Sequence, residues 1–189
     1  MKKTIHTYGD PVLRRKARPV EKVDDGTRAL VRDMIETMRG ERGVGLAAEQ
    51  VGEDIAVCVI EVPPEMDRDE QGLFYNPGAV MPMALINPKI VTASRETETA
   101  EEGCLSFPGL YAPIERPVEI TVEYLDVQGK SQARTFRKFV ARAIQHEMDH
   151  LDGVLFVDRM SALKKIALAG QLKRLKHQTR EAVAAQPAT

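Results

Sequence analysis

Gln145-His146-Glu147-Met148-Asp149-His150 places two imidazoles and a carboxylate at a spacing that one divalent cation can use. Residues four apart on an α-helix lie one above the other on the same face. His146 and His150 can therefore aim ring nitrogens at a single ion, with Glu147 beside it rather than on it. An ion held by few protein ligands lowers the pKa of the water it binds, and a neighbouring carboxylate can take and return that proton. The spacing thus predicts a central helix over about Val140 to Leu151 that serves as the metal platform, with Gly153 as its terminator. With only four His in 189 residues, chance is a poor explanation for this pattern.

Two histidines leave a metal under-coordinated. Familiar His-Glu-x-x-His hydrolases add either a Glu about twenty residues downstream or a third His after Gly-x-x. Here no Glu occurs between Met148 and Arg180, and Val154, Leu155 and Phe156 follow Gly153 where that His would stand. His6 and His177 have no ligand spacing with the pair, and Asp149 falls on a different helical face. Two cysteines remain as further candidates alongside the other Asp and Glu residues. Cys58 lies in the apolar run Ile55-Ala56-Val57-Cys58-Val59-Ile60 and reads as a small buried hydrophobe. Cys104 lies in Glu101-Glu102-Gly103-Cys104-Leu105-Ser106-Phe107-Pro108-Gly109, bracketed by Gly and polar residues, and is the stronger candidate for third ligand. A thiolate there would neutralise one charge of the ion.

Three blocks, Gly43-Val44-Gly45-Leu46-Ala47-Ala48-Glu49-Gln50, Glu102-Gly103-Cys104-Leu105-Ser106 and Gln145 to His150, resemble the three signature motifs of peptide deformylases, in the right order. The opening Tyr8-Gly9-Asp10-Pro11-Val12-Leu13-Arg14 is similar to the family's start, and the likeness runs from about residue 4 to about residue 160. The resemblance implies that Cys104, His146 and His150 bind one divalent ion, with water as fourth ligand and Glu147 as general acid and base. It implies Fe²⁺ as the native ion, with Zn²⁺, Ni²⁺ or Co²⁺ able to occupy the same site. The implied reaction is hydrolysis of the N-formyl group from the initiator formyl-methionine of nascent polypeptides, releasing formate. The backbone N–H of Leu105 and the side-chain amide of Gln50 are then the donors to the developing oxyanion.

The same resemblance assigns substrate contacts to Val44, Gly45, Gly103 and Arg142. Gly45 would let the substrate backbone lie against the loop as an added strand, and Val44 would line the methionine pocket. Arg142, one turn before His146, would border that pocket with its aliphatic stem while its guanidinium reaches solvent. Taken alone, Gly43-x-Gly45 reads as an ordinary loop and Gln50 as a surface amide; both gain meaning only from the joint match. Glu49 occupies the variable position of its motif.

The fold expected around the metal helix is α+β, with mostly antiparallel sheets packed against that helix and a C-terminal helix following. Leu30, Val31, Met34, Ile35 and Met38 form an apolar stripe at helical spacing that starts near Asp25 or Thr27 and is stopped by Gly40 and Gly43. Strands are expected at Ile55 to Val62, Ala84 to Ile86, Lys89 to Ser94, Val118 to Leu125 and about Ala133 to Phe139. The last two are joined through the turn signal Asp126-Val127-Gln128-Gly129-Lys130. Pro63 to Pro82 carries four prolines and the acidic cluster Glu65, Asp67, Asp69 and Glu70, and reads as a solvated loop longer than a minimal family member needs, with an active-site rim as the competing reading.

Residues 1–160 are expected to form the catalytic part and 161–189 a basic helix and tail within the same single domain. In that tail Leu168, Leu172 and Leu175 make a narrow stripe, accompanied by Arg159, Lys164, Lys165, Lys173, Arg174, Lys176 and Arg180. A solvated terminal helix is one reading. Docking to ribosomal RNA, which the resemblance implies, is the other. Val183 to Thr189 are expected to fray. The net charge of −1 argues against wholesale or sequence-specific nucleic-acid binding. No stretch reads as a signal peptide or a membrane span, and two dissimilar cysteines suit a reducing cytoplasm. Two rival functions are a zinc-type endopeptidase, disfavoured by the missing downstream ligand, and a non-catalytic structural metal module, disfavoured by the lack of a fourth protein ligand.

Overall fold

The computed structural model describes residues 1–185. Its first long element is α1 (Asp25–Gly40), begun by Asp24, whose side chain accepts a hydrogen bond from the Thr27 N–H at 2.8 Å. Leu30, Val31, Met34 and Met38 are its buried stripe, as the sequence periodicity predicts. Seven strands follow: β1 (Gly45–Ala47), β2 (Val57–Ile60), β3 (Met83–Ala93), β4 (Thr97–Gly103), β5 (Tyr111–Pro117), β6 (Glu119–Leu125) and β7 (Ser131–Arg137). Three helices close the chain: α2 (Lys138–Leu151), α3 (Phe156–Arg159) and α4 (Ala162–Ala184). The result is α+β, as expected.

Five strands form one antiparallel sheet in the order β1-β2-β3-β6-β7, while β4 and β5 pair as a separate two-stranded sheet. The large sheet is covered on both faces where β2 lies. Val57 and Val59 pack with α1 residues, whereas Cys58 and Ile60 pack with Val140, Ala141 and Ile144 of α2. That two-sided burial explains why β2 reads as an unbroken apolar run rather than an alternation. Cys58 is wholly buried there. By contrast β6 alternates, with Ile120, Val122 and Tyr124 inward.

Several expectations need correction. The two strands expected at Ala84 to Ile86 and Lys89 to Ser94 are one strand, β3, whose register with β6 slips between Ile86 and Lys89. Asn87 sits there at φ 51°, so the chain bulges without ending the strand. The loop from Val62 to Pro82 is less solvated than its acidic residues suggest. It holds a 3₁₀ turn over Pro64–Asp67, and Asp67 is buried against Asn76 at 2.5 Å. Asn76 in turn accepts a hydrogen bond from the Arg137 N–H at 2.8 Å, which staples the loop to the end of β7.

Helix α2 is stopped just past Leu151 by Gly153, which has φ 70° and donates its N–H to His150 O at 2.9 Å. A Cβ there would lie 2.7 Å from Arg14 O, so glycine is required on both counts. The terminal helix α4 is not freely solvated. Leu168, Leu172 and Leu175 join a cluster with Val12, Leu13, Phe107 and Phe156, and Thr179 hydrogen-bonds Thr7 at 2.6 Å. Helical structure runs through Ala184, two residues into the stretch expected to fray; the remainder of that expectation, 186–189, lies outside the described residues.

Candidate metal centre

α2 carries His146 and His150 on one face, and Cys104 arrives from the turn after β4. The ligating atoms of Cys104, His146 and His150 all lie within 4.8 Å of one another, with Cys104 Sγ 3.3 Å from His150 Nε2. The other two histidines are elsewhere: His6 pairs with Asp10 at 2.6 Å and His177 with Glu181 at 3.1 Å. A soft thiolate and two imidazoles on rigid supports, with no fourth protein ligand in the group, suit a borderline divalent cation that keeps a coordination position open.

Sequence reasoning missed what stands behind these residues. Glu102 Oε2 lies 2.9 Å from His146 Nδ1, which fixes that nitrogen as the protonated one and leaves Nε2 free for an ion. Glu102 is held in turn by Arg116, whose Nε and Nη2 lie 2.6 and 2.9 Å from its two oxygens. Arg116 also reaches Asp149 Oδ2 at 2.9 Å, and Arg159 closes on the same carboxylate from the outer side. Burial alone would raise the Glu102 carboxyl, but the hydrogen bonds from His146 and Arg116 hold it at about 2. A buried carboxylate satisfied this fully is a fixed negative charge next to His146. The structure turns Glu102 inward and its neighbours Glu101 and Gly103 out along β4, and no local sequence signal marks it for this role.

Arg142 belongs to this network, which corrects the expectation that its guanidinium reaches solvent. It is 5% exposed, and its head group donates to Glu102 Oε1 at 2.8 Å, Ile114 O at 2.9 Å and Glu98 O at 2.6 Å. Periodicity placed Arg142 on the correct face of α2, but β4 and β5 bring partners that no local pattern reveals.

A cavity of about 520 Å³ opens in front of the site. Cys104, His146 and Glu147 line it, together with Val44, Gly45, Gln50, Gly103, Leu105 and Arg142, so every remaining residue expected at the substrate faces the same space. No residue of the loop 62–82 lines it, so that segment is not its rim. Apolar lining comes from Phe107, Leu110, Phe139 and Ala143.

Glu147 is buried at the floor, and its Oε2 has no hydrogen-bond partner among the described residues. Burial, with Glu102 and Asp149 nearby, pushes its carboxyl up to about 7 against the pull of His146 and Arg116. A Cβ on Gly45 would lie 2.3 Å from Glu147 Oε1. The glycine is therefore needed for this carboxylate as well as for an approaching ligand. Gln50 is oriented by the Ala47 N–H, which donates to its Oε1 at 2.9 Å; its NH₂ consequently faces Ser106 Oγ at 3.1 Å and Cys104 Sγ at 3.5 Å. The Leu105 N–H donates to no group among the described residues. The arrangement offers a cation site, an unpartnered carboxylate, the free N–H of Leu105 and the Gln50 amide beside Cys104 around one small volume, which is a set suited to hydrolysis of an acyl group.

The sequence profile described as polypeptide deformylase matches residues 2–166. The chain belongs to the polypeptide deformylase family. A peptide deformylase of Picosynechococcus is 45% identical over 170 residues, covering 90% of this chain and 84% of that protein. Among solved structures of deformylases, that of the Thermotoga maritima enzyme superposes with a TM-score of 0.74 at 42% identity, covering 85% of this chain and 99% of its own. The Ehrlichia chaffeensis deformylase in complex with actinonin gives 0.81 at 40% identity, over 92% and 96%. As in a metal-dependent deformylase, the Cys/His/His group here is competent to hold an ion, and no described helix of this family member is long and apolar enough to cross a membrane.

Proposed function

We propose that this chain is a metal-dependent amide hydrolase that removes the N-formyl group from the initiator formyl-methionine of nascent polypeptides and releases formate. The observation that carries the reading is the convergence of Cys104, His146 and His150 beside the partnerless carboxylate of Glu147, in a chain of the deformylase family. Cys104 Sγ and the Nε2 atoms of His146 and His150 would hold the cation, Fe²⁺ as the native ion, with Zn²⁺, Ni²⁺ and Co²⁺ able to take its place. When bound, the ion acts as a Lewis acid on the formyl group and acidifies water.

The protein's own residues do the rest. Glu147 takes a proton from the attacking water and returns it to the departing nitrogen, which would otherwise leave poorly. The Gln50 side-chain NH₂ and the Leu105 N–H donate to the oxygen on which negative charge develops. The peptide lies as an added strand against Gly45, with Gly103 on the opposite wall, and Val44 lines the methionine pocket. Arg142 acts on the substrate indirectly, by holding Glu102 and the β4–β5 wall in place.

Residues 1–160 form the catalytic body in this reading, and the tail 161–189 belongs to the same domain; the leucine contacts of α4 support this. We assign the enzyme to the cytoplasm, with no membrane or sequence-specific nucleic-acid partner, and the basic outer side of α4 to the ribosome. The decisive assay compares formyl-Met and acetyl-Met peptides under anaerobic conditions with iron supplied. Formate release from the first and no hydrolysis of the second is the expected result. Cleavage of unblocked peptides, or equal turnover of both substrates, would overturn the assignment.

A further inference from the structure

We propose that the mouth of the cavity sorts nascent chains by charge: Arg42 on one wall favours acidic side chains, and Glu101 on the facing wall favours basic ones, in the residues that follow the first methionine. The inference rests on the reading of the cavity as a peptide site. Both residues line that cavity and both are exposed. The charged groups that flank them most closely are engaged. Arg39 pairs with Glu61 and Glu41 with Lys2, each at 2.6 Å, while Glu102 is held by Arg116 and Arg142. Among the described residues neither Arg42 nor Glu101 has an ion-pair partner.

Their placement is set by the backbone. Arg42 has φ 57° in the turn that joins α1 to β1, and that turn is fixed by hydrogen bonds from the Arg42 N–H to Arg39 O at 3.1 Å and from the Gly43 N–H to Met38 O at 2.9 Å. Along β4 the alternation that buries Glu102 turns Glu101 and Gly103 to the outer face together. Two residues of strand span about 6.6 Å, so Glu101 stands that far out from Gly103, beyond the reacting end of the site. An extended peptide advances about 3.3 Å per residue, so in this reading its second and third residues pass the part of the cavity that Arg42 and Glu101 line. A formylated substrate carries no α-amino charge, so the charges it presents here are those of its side chains. Exposed pairs of this kind change affinity by about two- to five-fold and weaken with salt.

The test uses formyl-Met-Xaa-Ala-Ala and formyl-Met-Ala-Xaa-Ala, with Xaa as Asp or Lys, on the metal-loaded wild type, Arg42→Glu and Glu101→Lys. The readout is the Asp-to-Lys ratio of kcat/KM within each protein, and the same ratio of Kd for the unformylated products by calorimetry. Arg42→Glu should shift the ratio toward Lys and Glu101→Lys toward Asp, each by about two- to five-fold, with smaller shifts as ionic strength rises from about 0.05 M to about 0.5 M. Ratios that stay the same in all three proteins, or that ignore salt, would overturn the proposal. Failure to release formate from formyl-Met-Ala-Ala-Ala would instead count against the assigned reaction, and the Kd ratios would still decide the role of the mouth.

Discussion

Glu102 Oε2 lies 2.9 Å from His146 Nδ1, and the carboxylate is shared with two buried arginines, Arg116 and Arg142. Removing one member of a buried ion network leaves the others uncompensated, which costs about 3–5 kcal/mol. Loss of the partner that orients a metal-ligating histidine costs about ten- to a hundred-fold in metal affinity. Glu102→Gln should therefore lower both stability, measured by denaturant unfolding, and metal affinity, measured by chelator competition. Arg159→Ala, which strips only the half-exposed end of the network, should leave affinity within about two-fold if His146 orientation is what matters.

Gly45 and Glu147 make a second close relationship. A Cβ at Gly45 would lie 2.3 Å from Oε1 and 2.8 Å from both Cγ and Cδ of the glutamate. The carboxylate would have to move, and a displacement near 1 Å costs about a hundred-fold in turnover when geometry controls the rate. Gly45→Ala should keep its metal, by elemental analysis, and lose about two orders of magnitude in kcat. Wild-type kcat in that variant would mean that the position of Glu147 is not critical.

Both helices that sandwich the sheet could be read from sequence, because α1 presents an apolar stripe at helical spacing and α2 carries His146 and His150 four residues apart with Gly153 as a stop. The three residues that converge were readable too, since His146 and His150 share one helical face and Cys104 sits in a polar, glycine-bracketed turn. β4 and β5 were not. Thr97–Gly103 has no apolar alternation, because its outer face is exposed and its inner face carries Glu102 for an ion network. Tyr111–Pro117 does alternate, with Ala112, Ile114 and Arg116 inward, but two prolines and a buried arginine disguise it. Arg142 was misread for the same reason: its partners Glu98, Glu102 and Ile114 are brought by strands at least 28 residues away.

Glu49 gives the fold a pH dependence. It is wholly buried, and neither carboxylate oxygen has a hydrogen-bond partner. Burial first, and then the nearby Glu147, Asp54 and Asp152, push its carboxyl up to about 8 from 4.5. Between those values the folded chain holds a proton that the unfolded chain has released, so stability falls as pH rises from about 4.5 through about 8, by on the order of a few kcal/mol. Glu49→Gln should remove the share of this slope that Glu49 contributes and leave that of Glu147, whose carboxyl is pushed up to about 7. Denaturant unfolding at intervals from pH 5 to pH 9 should show the variant gaining on the wild type as pH rises; a constant difference would refute it.

The packing of α4 dictates how its role is tested. Truncation after Ser161 removes Leu168, Leu172 and Leu175 from the cluster around Phe107 and Phe156, so it should cost stability as well as any ribosome contact. The cleaner variant is Lys173→Glu with Arg174→Glu, since both residues are exposed. Sedimentation with ribosomes should weaken in a salt-dependent way while the unfolding midpoint stays within about 0.5 kcal/mol of wild type. Unchanged sedimentation would remove the ribosome from the account.

The most direct measurement is the divalent metal content, by elemental mass spectrometry, of wild type and Cys104→Ala purified without oxygen. The site predicts one ion per chain in the wild type and a near-complete loss in the variant, because the remaining two imidazoles cannot retain it. One ion per chain in both proteins would mean that Cys104 does not bind the metal, and the chemistry assigned to this site would have to be abandoned.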